Sequence, residues 1–175
     1  MTKRFIEPVE KENLRLRLLQ EADLPMTLQW RNQDDIRRWF FHSEVISQQQ
    51  HLGWFKNYIT KDNDFIFIFE EIQYGYRPIG QVSIYQVDWG SQRAEFGRLM
   101  IGEPDAAGKG YAFRASQMAA RIAFYTMGLN EIYLEVLVGN KKAIAIYEKM
   151  GFKRSGISED KQSMSLSVNQ PGINI

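Results

Sequence analysis

The chain has 175 residues, 22 basic against 21 acidic for a formal net charge of +1, and no cysteine. That length fits one domain over 1–175 that buries about two-thirds of its unfolded surface. The even charge signals no nucleic acid or other polyanion as partner, and the missing thiols exclude a disulfide framework, a Cys-based zinc site and an acyl-cysteine intermediate.

Residues 1–12 are charged and lack the apolar stretch of a signal peptide, and no run reaches the ~18 apolar residues of a membrane span, so a cytoplasmic protein with no membrane partner is expected. Residues 13–19 alternate apolar and basic side chains, the period of a half-buried strand with Leu14, Leu16 and Leu18 inward. A helix is expected over 21–31, with Glu21 and Asp23 at its positive end and Pro25 in its first turn. The stretch 30–42 is dense in aromatic and cationic groups. Ser47 reads as an N-cap and Gln50 completes a capping box for a helix over 48–59.

A strand of β-branched and aromatic residues spans 64–71, a turn 74–78, a partner strand 79–87, a second turn 89–91 and a third strand 94–101: three consecutive antiparallel strands. Residues 113–126 carry a helical pattern, 132–138 a strand, and 152–157 with 163–168 a closing hairpin. The end, 169–175, contains Pro171 and Gly172 and is expected to be a loose tail.

Between the third strand and the helix lies Ala106-Ala107-Gly108-Lys109-Gly110-Tyr111-Ala112. Strand, glycine loop, helix suits phosphate: glycines let the backbone approach closely, and the unpaired amides and positive dipole end of the helix attract anions. By itself such a loop is as often a plain connection. Two other phosphate motifs do not fit. A P-loop needs Ser or Thr after Gly-Lys, where Gly110 stands. The dinucleotide fingerprint needs a third glycine where Phe113 stands.

Further on, the strand at 132–138 leads into Gly139-Asn140-Lys141-Lys142-Ala143-Ile144-Ala145-Ile146-Tyr147-Glu148-Lys149-Met150-Gly151-Phe152. Loop and segment together, in this order, resemble the GNAT superfamily of acetyl-CoA-dependent N-acetyltransferases, with its pyrophosphate loop and its Asn-x-x-Ala-x-x-x-Tyr-x-x-x-Gly-Phe segment. One departure is Ala107, where the family loop usually opens with Gln or Arg. The resemblance implies an α/β fold: a mixed, mostly antiparallel seven-stranded sheet with about four helices on both faces, parted in a V between the strands of Glu95 and Glu135. It implies acetyl-CoA as co-substrate, no metal, and a small-molecule amine as partner; a homodimer stays open.

Helical spacing puts Asn140, Ala143, Ile144 and Tyr147 on one face. A packed aromatic and a helix N-cap are the plain alternatives for Tyr147 and Asn140. A lysine-like amine has a pKa of about 10.4 and must lose a proton before it attacks a thioester. The resemblance implies Glu95 as that base, with Asp88 and Glu135 as rivals. It implies Tyr147 as the acid for the departing thiolate and Asn140 beside it. Gly97 within its strand suggests a bulge, and by resemblance the backbone of Leu99, Met100 and Ile101 contacts the pantetheine arm, while Ala107, Gly108, Lys109, Gly110, Tyr111 and Ala112 hold the pyrophosphate.

For the acceptor, Trp30, Arg31, Asn32, Arg37 and Trp39 offer rings for stacking and guanidiniums suited to phosphate, a pattern similar to family members that acetylate nucleotide-linked amino sugars; helix core and a solvated face are the equal alternative. Two further readings stay open: acetylation of a protein N-terminus or lysine, which an acidic groove at Glu70, Glu71 and Asp88 would favour, and a non-catalytic acyl-CoA-binding module. His42 and His51 are too isolated to read as metal ligands.

Overall fold

The structure, a computed structural model, describes residues 2–175. A short strand β1 (Val9–Lys11) turns back into β2 (Leu14–Leu18). After a 3-10 turn at Glu21–Asp23 come α1 (Leu24–Arg31), with Pro25 in its first turn, the single turn α2 (Asp34–Arg37), and α3 (Gln48–Tyr58). The Ser47 hydroxyl accepts from the Gln50 amide at 3.1 Å while the Gln50 side chain accepts from the Ser47 amide at 2.8 Å, the expected capping box.

Then follow β3 (Asp64–Glu71), β4 (Arg77–Asp88) and β5 (Arg93–Ile101), antiparallel in sequence, and the glycine loop leading into α4 (Tyr111–Arg121). The helix expected over 113–126 starts two residues earlier and changes to a π turn at Ile122–Thr126. β6 (Glu131–Leu137), α5 (Lys141–Met150) and the hairpin of β7 (Lys153–Ser158) and β8 (Lys161–Ser167) complete the chain.

The strands form one sheet in the order β1-β2-β3-β4-β5-β6-β8-β7, one strand more than expected because Val9–Lys11 adds an edge. β3 is apolar on both sides, as a strand covered on both faces must be. Phe65, Phe67 and Phe69 join the core under α4 and α5, whereas Ile66 and Ile68 meet Leu24, Trp30, Phe55 and Tyr58 of α1 and α3. The same alternation carries Val82, Ile84 and Phe96 to the first face, and Tyr85 and Glu95 to the second.

The tail is not loose. The Asn174 amide donates to Met150 O at 2.8 Å, Gln117 Nε2 donates to Asn174 O at 3.1 Å, and Ile173 and Ile175 pack on the core. Apolar residues spaced by two at the extreme C-terminus bury area once α4 and α5 lie beside them, which local composition did not reveal.

The feature that positions the site is the one parallel pair among the described residues. β5 and β6 are in register only at Arg93↔Glu131, Ala94↔Ile132 and Glu95↔Tyr133. Beyond Glu95 the two strands part, opening the expected V.

Candidate functional site

The glycine loop sits at the open end of the V. Gly108 and Gly110 adopt φ of +75° and +78°, a backbone that side-chain-bearing residues rarely take. Gly110 is also the N-cap of α4 and brings no side chain to cap it. The amides of Gly108, Lys109, Gly110, Tyr111 and Ala112 therefore find no acceptor among the described residues, and they crowd at the positive end of an 11-residue helix. This can hold an anion through main-chain nitrogens alone. Ala107, Gly108, Lys109 and Gly110 are exposed, while the Tyr111 ring is buried and its phenol is raised by the adjacent Glu71 carboxylate.

Along the V, β5 is interrupted twice on its β4 side. Between Gln81↔Met100 and Ser83↔Gly97 the residues Arg98 and Leu99 oppose Val82 alone, a bulge at the place that Gly97 marked, with Arg98 at φ +49°. Between Tyr85↔Glu95 and Asp88↔Arg93 the extra residue is on β4, with Gln86 at φ +48°. That second bulge brings two consecutive side chains to one carboxylate: Tyr85 Oη donates to Glu95 Oε1 at 2.7 Å and Gln86 Nε2 donates to Glu95 Oε2 at 2.9 Å. Burial, and then Glu95 itself, raises the Tyr85 phenol, so it remains a donor. Leu99 and Ile101 are half-buried and Met100 is buried; past Glu95 no strand among the described residues lies on their β6 side.

Tyr147 projects from α5 into the first core, 5% exposed, its ring edge-on to Phe96 at 6.2 Å and tilted against Phe152 at 5.6 Å. Burial pushes its phenol well above the usual value, so the hydroxyl carries its proton across the working pH range. Asn140 caps α5: its Oδ1 accepts from the Ala143 amide at 3.3 Å. The capping role is thus observed for Asn140, leaving its Nδ2 donors for other partners.

The residues expected at the acceptor site divide. Trp30 is 2% exposed, donates from Nε1 to Glu103 Oε1 at 2.8 Å, and presses on Gly102, where a Cβ would lie 2.0 Å from its ring. It is a core residue and offers no face for stacking. Arg31 donates to His42 O and lies over the Phe40 ring at 4.0 Å. Arg37 is held by Asp34 Oδ1 at 2.9 Å and Ser43 O at 2.8 Å. Asn32 pins both the amide and the carbonyl of Ile46 at 2.8 Å. Arg31, Asn32 and Arg37 thus staple the segment 32–46 in place, with Arg31 Nη1 buried and without a partner among the described residues. Trp39 is the exception: half exposed, it stands with its ring 3.6 Å from a Cβ position on Gly139, next to Asn140, while Phe41 lies under the Lys161 ammonium.

Of the rival carboxylates, Asp88 is spent on the turn amides of Gly90 and Ser91 at 2.9 and 3.1 Å. Glu135 is exposed, on the same face of β6 as Tyr133 and hence of Glu95. Glu70 and Glu71 form no acidic groove. Glu70 is 2% exposed between Arg15 at 2.6 Å and Arg17 at 2.8 Å, and Glu71 is 1% exposed with Arg77 at 3.5 Å. Sequence reading missed Tyr85, Gln86 and Arg98. Gly97 signalled one bulge, but no residue signalled the other.

Residues 13–153 match the acetyltransferase (GNAT) domain family. A spermidine N(1)-acetyltransferase of Vibrio cholerae is 29% identical over 143 residues, which are 82% of this chain and 80% of that one. A putative ribosomal N-acetyltransferase of Bacillus subtilis is 26% identical over 166 residues, 91% and 81% of the two chains. Among solved structures, spermidine N-acetyltransferase from Vibrio cholerae in complex with CoA and spermine superposes with a TM-score of 0.81 at 27% identity, covering 89% of this chain and 95% of that one.

Proposed function

The chain belongs to the GNAT acetyltransferases and is an acetyl-CoA-dependent N-acetyltransferase; from that premise we propose that its acceptor is a primary amine of a polyamine of the spermidine type. The observation that carries this reading is the Glu95 carboxylate at the fork of β5 and β6, on the face that α1 and α3 cover, with the exposed Glu135 on the same face of β6. Carboxylates suit a polycation, and the exposed Trp39 beside Gly139 adds a ring face that attracts ammonium groups. The arginines that would have favoured a nucleotide-linked amino sugar are engaged with their own segment. The relatives named above are described as polyamine and ribosomal acetyltransferases. Protein acetylation loses the acidic groove that would have favoured it.

In this reading the amides of 108–112 hold the cofactor's pyrophosphate, and the backbone of Leu99, Met100 and Ile101, free on the β6 side, takes the pantetheine arm as a strand would. Glu95 receives the proton of the substrate ammonium. The freed amine attacks the thioester carbon, the C–N bond forms as the C–S bond breaks, Tyr147 gives the thiolate its proton, and the second proton of the acylated nitrogen restores the phenol. The products are the N-acetylamine and CoA, with one proton released overall.

A thiol-release assay with acetyl-CoA compares spermidine, a nucleotide amino sugar and a basic peptide. Spermidine is expected to give kcat/KM at least about tenfold above the others, and Glu95→Gln to lose on the order of a hundredfold in kcat. Preferred turnover of the nucleotide sugar or the peptide overturns the substrate assignment.

A further inference from the structure

Gly97 is buried, and Tyr85 already lies where a side chain there would point. A Cβ there would find Tyr85 Oη at 3.6 Å and Tyr85 Cε1 at 3.9 Å as its nearest neighbours. The bare backbone lets the hydroxyl that holds Glu95 lie close against it. Tyr85 is itself held: the Arg98 guanidinium lies 3.9 Å over its ring and is fixed by Asp64 Oδ1 at 2.8 Å. Both restraints come from the bulges. One turns Arg98 back across β4, and the other sets Tyr85 and Gln86 side by side against the carboxylate.

We infer that Tyr85 is a positioning residue of the reaction: clamped by Arg98, it holds the Glu95 carboxylate in one orientation for the incoming amine. The inference rests on Glu95 being the base. The groups facing that carboxylate come from neighbouring strands and α5. From β4 come Tyr85 and Gln86, with Asp88 turned to its own turn amides. From β6 come Tyr133, the exposed Glu135, and Glu131 paired with Arg93 at 2.9 Å. Arg98 on β5 is paired with Asp64 of β3, and Tyr147 of α5 is close enough to bear on the Tyr85 phenol. Tyr85 and Gln86 are the donors that touch Glu95 among the described residues.

The Tyr85 hydroxyl fixes one oxygen of the carboxylate, so its loss must appear in turnover and leave cofactor binding alone. Tyr85→Phe keeps the ring and removes the donor. Kinetics of spermidine acetylation are measured for wild type, Tyr85→Phe and Glu95→Gln. For Tyr85→Phe kcat is expected to fall about tenfold with an unchanged KM for acetyl-CoA. An unchanged kcat, or a raised KM for acetyl-CoA, while Glu95→Gln is inactive, overturns the inference and leaves the base in place. Full activity of Glu95→Gln removes the base reading, and this inference with it. Should Tyr85→Phe not fold, Gln86→Leu removes the other donor and is read against the same outcomes.

Discussion

At the scale of single residues the site turns on where protons stay. The Tyr147 phenol, enclosed by Phe96 and Phe152, keeps its proton because burial disfavours phenolate. Tyr147→Phe removes one oxygen from a packed ring, so kcat is expected to fall by on the order of a hundredfold with the KM for acetyl-CoA unchanged, as steady-state kinetics will report. Lys3 is a second case. Its ammonium lies 3.3 Å over the Tyr58 ring, and burial outweighs the nearby Asp64 and Asp62 to push it down to about 8. The folded-state value lies below the unfolded one, so unfolded chains bind the extra proton between about pH 8 and 10.5, and stability rises with pH through that window. Discounted for a half-exposed group, the gain is about 1 kcal/mol. Denaturant unfolding at both ends of the window should show that rise in wild type and not in Lys3→Met.

At the scale of elements, the loop and helix termini carry the local logic. Gly110 joins two demands, a left-handed backbone and an uncapped helix start. Gly110→Val is expected to cost about 1–2 kcal/mol through its φ and to raise the KM for acetyl-CoA at least about tenfold by displacing amides that would hold phosphate. Ser47→Ala, at the start of α3, should cost about 1 kcal/mol in denaturant unfolding and leave that KM alone. Both features were legible in the sequence because they are local: Ser47 and Gln50 are three residues apart, and Gly108 and Gly110 precede a helical pattern at once. Strand β3 matched its expected limits for the same reason. The pairing of Tyr85 with Glu95 was not legible. Counting back from the observed Asp88↔Arg93 pair would put Gln86 opposite Glu95, and only the bulge at Gln86 shifts the register by one.

At the scale of the whole molecule, the sheet runs unbroken from β1 to β7 except where β5 leaves β6, and the tail closes over α4 and α5. Removing residues 172–175 is expected to cost about 2 kcal/mol, from the partly buried Ile173 and Ile175, with little change in acetyl-CoA KM; thermal and denaturant unfolding check it. The sequence by itself determined the order and kind of the main elements, the glycine loop, the face shared by Asn140 and Tyr147 and the family they indicate, because period, capping and turn chemistry act over a few residues. Tertiary structure alone decided that Arg31, Asn32 and Arg37 brace their own segment, that Trp30 is core, that Glu70 and Glu71 are buried beside arginines, and which side chains hold Glu95. Those outcomes depend on pairings across tens of residues, where one inserted residue in a strand changes every partner beyond it.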